Sequence, residues 1–257
     1  MYAFAMKSIL LCLHGWGGSS ESFTELREAL KGSDIEVLAP DLPGFGGKPE
    51  PDRPWTTDDY AEWVITWLVE SGKLKVESDW TLLGHSHGGR IVIKLLTQKL
   101  STLNSQLSTP SHLFLCAPAG IRHPRHFKRI AGLLLAKTGT FFLSIPGMRS
   151  LQPLGKKLLY KLVRVHDYEK ASPVMRETMI RVSAEDLRPL LSKITVPTDL
   201  FWGTEDGMTP YGDAKIMERE IPDAVLHTYP GVRHRVHRDR AAEIATIIKE
   251  RASASHR

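Results

Sequence analysis

The sequence predicts an α/β protein built on a mostly parallel sheet of six strands. Short runs rich in Ile, Leu and Val alternate with longer segments whose apolar residues recur three and four positions apart. That alternation is the pattern of βα units around a sheet covered on both faces. Each run closes in Gly, Pro or polar turn residues, and 257 residues suffice for one sizeable core before a chain divides into domains.

In chain order, the run SILLCLH leads into the turn GWGGSS, IEVLAP into DLPGFGG, and WTLLGHS into HGG. HLFLCA then leads into PAG, TDLFWG into TEDG, and AVLHTY into PGVRH. Between them, Phe23, Leu26 and Leu30 mark one helical face, Tyr60, Val64, Trp67 and Leu68 a second, and Ile91, Leu95 and Leu96 a third. These faces are expected to pack on the sheet. Thr57, ahead of the acidic pair Asp58 and Asp59, reads as a helix start, because early carboxylates suit the positive end of the helix dipole. Ala242, Ile244, Ala245 and Ile248 predict a last amphipathic helix, with the tail RASASHR fraying from it. From residue 120 to 188 the strand rhythm stops, and Gly139, Pro146, Gly147, Pro153 and Pro173 punctuate helical patterns. This stretch reads as a helical lid inserted into a core formed by residues 1–119 and 189–257.

Bulk properties exclude several classes. A hydrophobic share of 42% and a charged share of 25% are those of an ordinary globular protein. The apolar N-terminal run has no cationic segment before it and flows into a strand, and no stretch approaches the roughly 18 apolar residues of a membrane span. A cytoplasmic protein is expected. Cys12 and Cys116 each lie inside a strand-like run, which favours buried free thiols over a disulfide.

The net charge of +5 is unevenly placed. No Asp or Glu occurs from Trp80 to His166, while Arg122, Arg125, Lys128, Arg129, Lys137, Arg149, Lys156, Lys157, Lys161 and Arg164 fall in the insertion. A strong positive potential follows.

The sharpest local signal is Gly84-His85-Ser86-His87-Gly88, which follows the apolar run WTLL and opens a helical pattern. An abrupt strand-to-helix turn strains its central residue, and glycines two positions either side relieve the crowding. Ser86 then stands exposed at the strand end as a candidate nucleophile. The His87 backbone N–H and the helix N-terminus favour an incoming negative charge.

With these residues the chain resembles the α/β-hydrolase-fold serine esterases of the compact, lid-bearing kind, over most of its length. His14-Gly15-Trp16-Gly17-Gly18 is similar to the family's oxyanion loop, which implies Trp16 and His87 as the two N–H donors. Asp41-Leu42-Pro43-Gly44-Phe45-Gly46 resembles a structural turn of the family, with Lys48 where a serine usually follows. The family's chain order of nucleophile, acid and histidine implies Asp206, within Trp202-Gly203-Thr204-Glu205-Asp206-Gly207, as the acid. Glu205 is its local competitor. The same resemblance implies His234 as the base over His237, although Arg233 stands where the family usually has Gly. It also implies an N-terminal antiparallel hairpin, for which the few residues before SILLCLH leave no room. The six-stranded sheet should therefore carry IEVLAP at an edge, where two copies could pair, so a monomer or a homodimer is expected.

The implied chemistry is hydrolysis of a small-molecule carboxylic ester through an acyl-enzyme. Carbon–carbon cleavage, acyl transfer and a ligand-binding receptor are the alternatives that share the same triad. Histidines 14, 85, 87 and 234 raise a metal centre, but no H-E-x-x-H or similar spacing occurs, so no metal is expected. No P-loop or dinucleotide fingerprint is present, and no cofactor is implied. The cationic lid suits an anionic or carrier-linked acyl substrate, or contact with a membrane surface. Nucleic acid is not expected, since no aromatic stacking arrangement accompanies the charge.

Overall fold

The computed structural model describes residues 8–74, 79–99, 108–123 and 171–254, with the side chains of 99 and 254 excepted. Most of the stretch expected to form a lid, residues 124–170, lies outside the described residues.

Six strands form the frame: β1 (Ser8–Leu13), β2 (Ile35–Leu38), β3 (Trp80–His85), β4 (His112–Cys116), β5 (Thr198–Gly203) and β6 (Ala224–Tyr229). Their order is β2-β1-β3-β4-β5-β6 and every pairing is parallel. This is the expected six-stranded sheet, with β2 at one edge and β6 at the other. All strands therefore deliver their C-terminal ends, and the loops beyond them, to one side, where ligands of open α/β sheets bind.

The apolar runs are continuous because the central strands are covered on both faces. Leu10, Leu11, Cys12 and Leu13 are all fully buried, each leucine contributing about 1.5–3 kcal/mol relative to exposure. Trp80 and Trp202 are the largest fully buried side chains. The Trp202 indole N–H donates to the Thr209 carbonyl at 2.9 Å, so the core also anchors the loop after β5.

The helices are α1 (Thr24–Ala29), α2 (Thr57–Ser71), α3 (His87–Lys94), α4 (Pro173–Ala184), α5 (Tyr211–Glu220), α6 (Val236–Asp239) and α7 (Ala241–Ala254). Helix α1 packs on α7, and α2 packs on α3. Three details differ from the sequence reading. The cap of α2 is Thr56, one residue before Thr57, because Thr56 and Asp59 satisfy each other's backbone N–H reciprocally, at 3.3 and 2.7 Å. Helix α3 is buried along all eight residues rather than on one face, and its continuation Leu95–Lys99 widens into a π turn. Lys94 is neutralised by carboxylates, with Nζ 2.9 Å from Asp58 and 2.5 Å from Glu185, and the Arg90 guanidinium donates to the Glu185 carbonyl at 3.0 Å. Lastly, α7 runs on through Arg251 into the tail expected to fray, because Arg251 pairs with Asp199 on β5 at 2.9 Å.

Among the described residues no helix is long and apolar enough to cross a membrane.

Candidate active site

Ser86 sits between β3 and α3 with φ 52° and ψ −110°, a conformation that L-residues avoid. Such backbone costs on the order of 1–3 kcal/mol and persists where its surroundings over-determine it. Here they do. A Cβ on Gly88 would stand 2.0 Å from the Leu13 carbonyl oxygen, and one on Gly84 would stand 2.7 Å from a Val92 methyl and 2.8 Å from the Gly88 carbonyl oxygen. The two glycines therefore permit the close packing of β1, β3 and α3 that forces the bend. The Ala119 N–H donates to the Ser86 carbonyl at 2.9 Å and pins the turn from the β4 side. Ala117, just beyond β4, is itself strained at φ 44°.

The turn after β1, His14 to Gly18, meets this bend directly. A Cβ on Gly15 would lie 3.1 Å from the Ser86 Cβ and 2.9 Å from His85 Nδ1, so glycine lets the chain pass the serine without displacing either side chain. His14 is locked beneath it: Nδ1–H donates to the Gly15 carbonyl at 2.8 Å while Nε2 accepts the Leu42 N–H at 3.0 Å. Burial lowers its pKa, and it stays a neutral structural link. Trp16 follows, its ring 5.3 Å from that of His87. His87 is the first residue of α3, so its N–H has no partner within the helix. Burial pushes the His87 imidazole down to about 3, and it stands among Trp16, Phe45 and Tyr60.

Asp206 and His234 come from the loops after β5 and β6. His234 Nδ1 lies 2.7 Å from Asp206 Oδ2. The Thr209 hydroxyl donates to the same oxygen at 2.8 Å, and the N–H groups of Met208 and Thr209 donate to Oδ1 at 2.7 and 3.0 Å. Burial pushes the Asp206 carboxyl up, but His234 and these donors outweigh it and leave the pKa below the ordinary value. The carboxylate therefore holds the proton on Nδ1 and leaves Nε2 with its lone pair. Nε2 is buried and has no hydrogen-bond partner among the described residues, so contact with the Ser86 hydroxyl is not made in this structure. Such bonds in unliganded sites are often long and tighten on the substrate.

The two loops are clamped together by main chain. A Cβ on Gly203 would stand 2.1 Å from the Val232 carbonyl oxygen, and the Glu205 N–H donates to that oxygen at 3.0 Å. Glu205 itself is exposed, whereas Asp206 is buried. His237 lies on α6, buried, 3.8 Å from the His85 ring and 5.6 Å from Phe23. Both of its nitrogens lack hydrogen bonds among the described residues. The histidines thus gather ring against ring, and among the described residues no group of three or more His, Cys, Asp or Glu side chains converges as a metal site would require.

The sequence reading gave no part to Thr209 and weighed His85 only as a metal ligand, without its contact to the His234 carbonyl. Thr209 is visible only as the residue three beyond Asp206, a spacing at which Asx-type turns recruit hydroxyls. No local pattern announces the His85 contact.

A parallel sheet whose third strand ends in a strained serine, with a histidine–carboxylate pair presented from the loops of two later strands, is the frame of an α/β hydrolase. Residues 10–247 match the alpha/beta hydrolase family, and the chain belongs to it. It is 28% identical over 253 residues to the hydrolase YugF of Bacillus subtilis, covering 95% of this chain and 89% of that protein. To a pimeloyl-acyl-carrier-protein methyl ester esterase of Neisseria meningitidis it is 25% identical over 254 residues, with 96% and 93% covered. Among solved structures, an esterase from Exiguobacterium antarcticum superposes with a TM-score of 0.68 at 23% identity, covering 96% of this chain and 92% of that one, a likeness of fold.

Proposed function

We propose that this hydrolase cleaves a carboxylic ester through an acyl-enzyme, with Ser86 as nucleophile, His234 as base and Asp206 as the group that orients it. The observation that carries the reading is the 2.7 Å bond between His234 Nδ1 and Asp206 Oδ2, set at the same end of the sheet as the strained Ser86. His234 Nε2 takes the Ser86 proton as Oγ attacks the ester carbonyl, and returns it to the departing alcohol. The N–H groups of Trp16 and His87 receive the oxyanion, a single such donor being worth about a hundred- to a thousandfold in rate. Water, deprotonated by the same histidine, then releases the acid. The esterase names carried by the Neisseria relative and the Exiguobacterium structure support an ester as the bond cleaved.

The ten cations between Ala119 and His166, a stretch without any acid, support an anionic or carrier-linked acyl group as substrate. Turnover of an ester with a carboxylate on its acyl chain should then fall with salt more steeply than turnover of its neutral counterpart.

The primary test is labelling with a fluorophosphonate followed by peptide mapping. Modification is expected on Ser86 alone, and Ser86→Ala should abolish both the label and turnover of a short-chain nitrophenyl ester. Equal turnover by the two proteins would sink the assignment.

A further inference from the structure

His234 is held at its side chain by Asp206, and a second imidazole holds its backbone. His85, the last residue of β3 and the neighbour of Ser86, places Nε2 3.0 Å from the His234 carbonyl oxygen. A carbonyl can only accept, so Nε2 carries the proton and Nδ1 the lone pair. The ring is buried, at 7% exposure, and wedged on three sides. His237 of α6 lies 3.8 Å away at an interplanar angle of 36°, the His234 ring lies 4.9 Å away, and a Cβ on Gly15 would come within 2.9 Å of Nδ1. Burial holds His85 far below the ordinary imidazole range and His237 down to about 3, so both remain uncharged beside the base.

This contact reaches the nucleophile's own strand, which the bonds between the His234 loop and the Asp206 loop do not. Bonds from Glu205 N–H to the Val232 carbonyl at 3.0 Å and from Gly231 N–H to the Thr204 hydroxyl at 3.1 Å fix that loop against the acid's loop. They set the base relative to Asp206 and leave its distance from Ser86 to the breadth of the sheet, since β4 and β5 lie between β3 and β6. His85 spans that gap in one residue. It is covalently joined to the nucleophile and hydrogen-bonded to the main chain of the base.

We propose that His85 is a positioning residue that sets the His234 main chain against Ser86, with His237 as the surface that holds its ring in place. The inference rests on the roles given to Ser86, His234 and Asp206 above. Misplacement by about 1 Å at a reacting pair can cost on the order of a hundredfold. The loss should appear in kcat, because His85 touches the catalytic geometry through His234 and leaves substrate contacts alone.

The test compares His85→Phe, which keeps a planar ring without the donor, with His85→Gln, whose amide N–H can reach the same carbonyl. Nitrophenyl ester kinetics and melting temperatures are measured for both, with Ser86→Ala as control. The phenylalanine variant is expected to lose about ten- to a hundredfold in kcat with KM within about twofold, and glutamine to regain at least a third of that loss on a logarithmic scale. A phenylalanine variant within threefold of wild type, or equal losses in both variants, overturns the proposal. Should His85→Phe not fold, His237→Ala carries the same test: it should lose about tenfold in kcat with KM within about twofold, whereas wild-type kcat overturns the proposal. An active Ser86→Ala protein would instead overturn the nucleophile assignment, and an inactive one beside an unimpaired His85→Phe removes the positioning role alone.

Discussion

Replacing Asp206 by Asn should be far more damaging than the loss of one charge suggests, because the structure dictates which way the amide must point. Oδ1 accepts two backbone N–H groups, from Met208 and Thr209 at 2.7 and 3.0 Å, while Oδ2 accepts from the Thr209 hydroxyl and from His234 Nδ1. Turning the amide nitrogen toward Oδ1's position would set donors against donors and leave buried groups unpaired, at about 1–3 kcal/mol each. The amide oxygen therefore keeps that place and the NH₂ faces His234. Nδ1 must then accept, the imidazole proton moves to Nε2, and the atom that should receive the Ser86 proton already carries one. In serine hydrolases built on other folds the wrong tautomer costs about ten-thousandfold in kcat, which converts to about 5.4 kcal/mol. Steady-state turnover of a nitrophenyl ester measures it, with Glu205→Gln as the neighbouring control that should stay within about twofold. An Asp206→Asn enzyme within tenfold of wild type would refute the tautomer argument.

Three further expectations concern the frame. Asp199 is 1% exposed and accepts from His112 at 2.7 Å, His227 at 2.6 Å and Arg251 at 2.9 Å; Asp199→Ala should destabilise by about 1–3 kcal/mol in denaturant titrations at neutral pH, as leaving the buried His112 donor unpaired does. Burial pushes that carboxyl up, but the three partners hold it far below the ordinary range; its contribution is complete above the unfolded value and is lost as acid approaches the folded one, so the gap between wild type and Asp199→Asn should narrow below about pH 4. Gly203→Ala drives a Cβ to 2.1 Å from the Val232 carbonyl, and the overpacking should lower stability by about 1–3 kcal/mol while parting the Asp206 and His234 loops; a fully active variant would show that the clamp is dispensable. Cys12 and Cys116 are buried, and burial raises both thiols; Ellman's reagent should find neither in the native protein and both in denaturant.

What the sequence made legible follows from the range of each interaction. The strands could be read because both faces of a central parallel strand meet apolar neighbours, so Leu10 to Leu13 appear as an unbroken run. Ser86 could be read because its strain is relieved locally, by glycines two residues away on either side. Asp206 and His234 could be named only through the resemblance to a family whose chain order is nucleophile, acid, histidine, and the structure sets their side chains 2.7 Å apart. Helix α3 misled the periodicity because a helix enclosed on all sides keeps no polar face, and its Arg90 and Lys94 are answered by Glu185 and Asp58, residues far from it in the chain. The same holds for Asp199, whose partners stand on β4, β6 and α7, and for His85, whose acceptor lies 149 residues away. Such contacts leave no period in the sequence, because only the sheet order brings them together. This is also why the histidine-rich turns were ambiguous when read alone. In Gly-His-Ser-His-Gly the first imidazole faces the His234 main chain and the second faces an aromatic wall, so two identical side chains two residues apart are separated in their contacts by the bend at Ser86 itself.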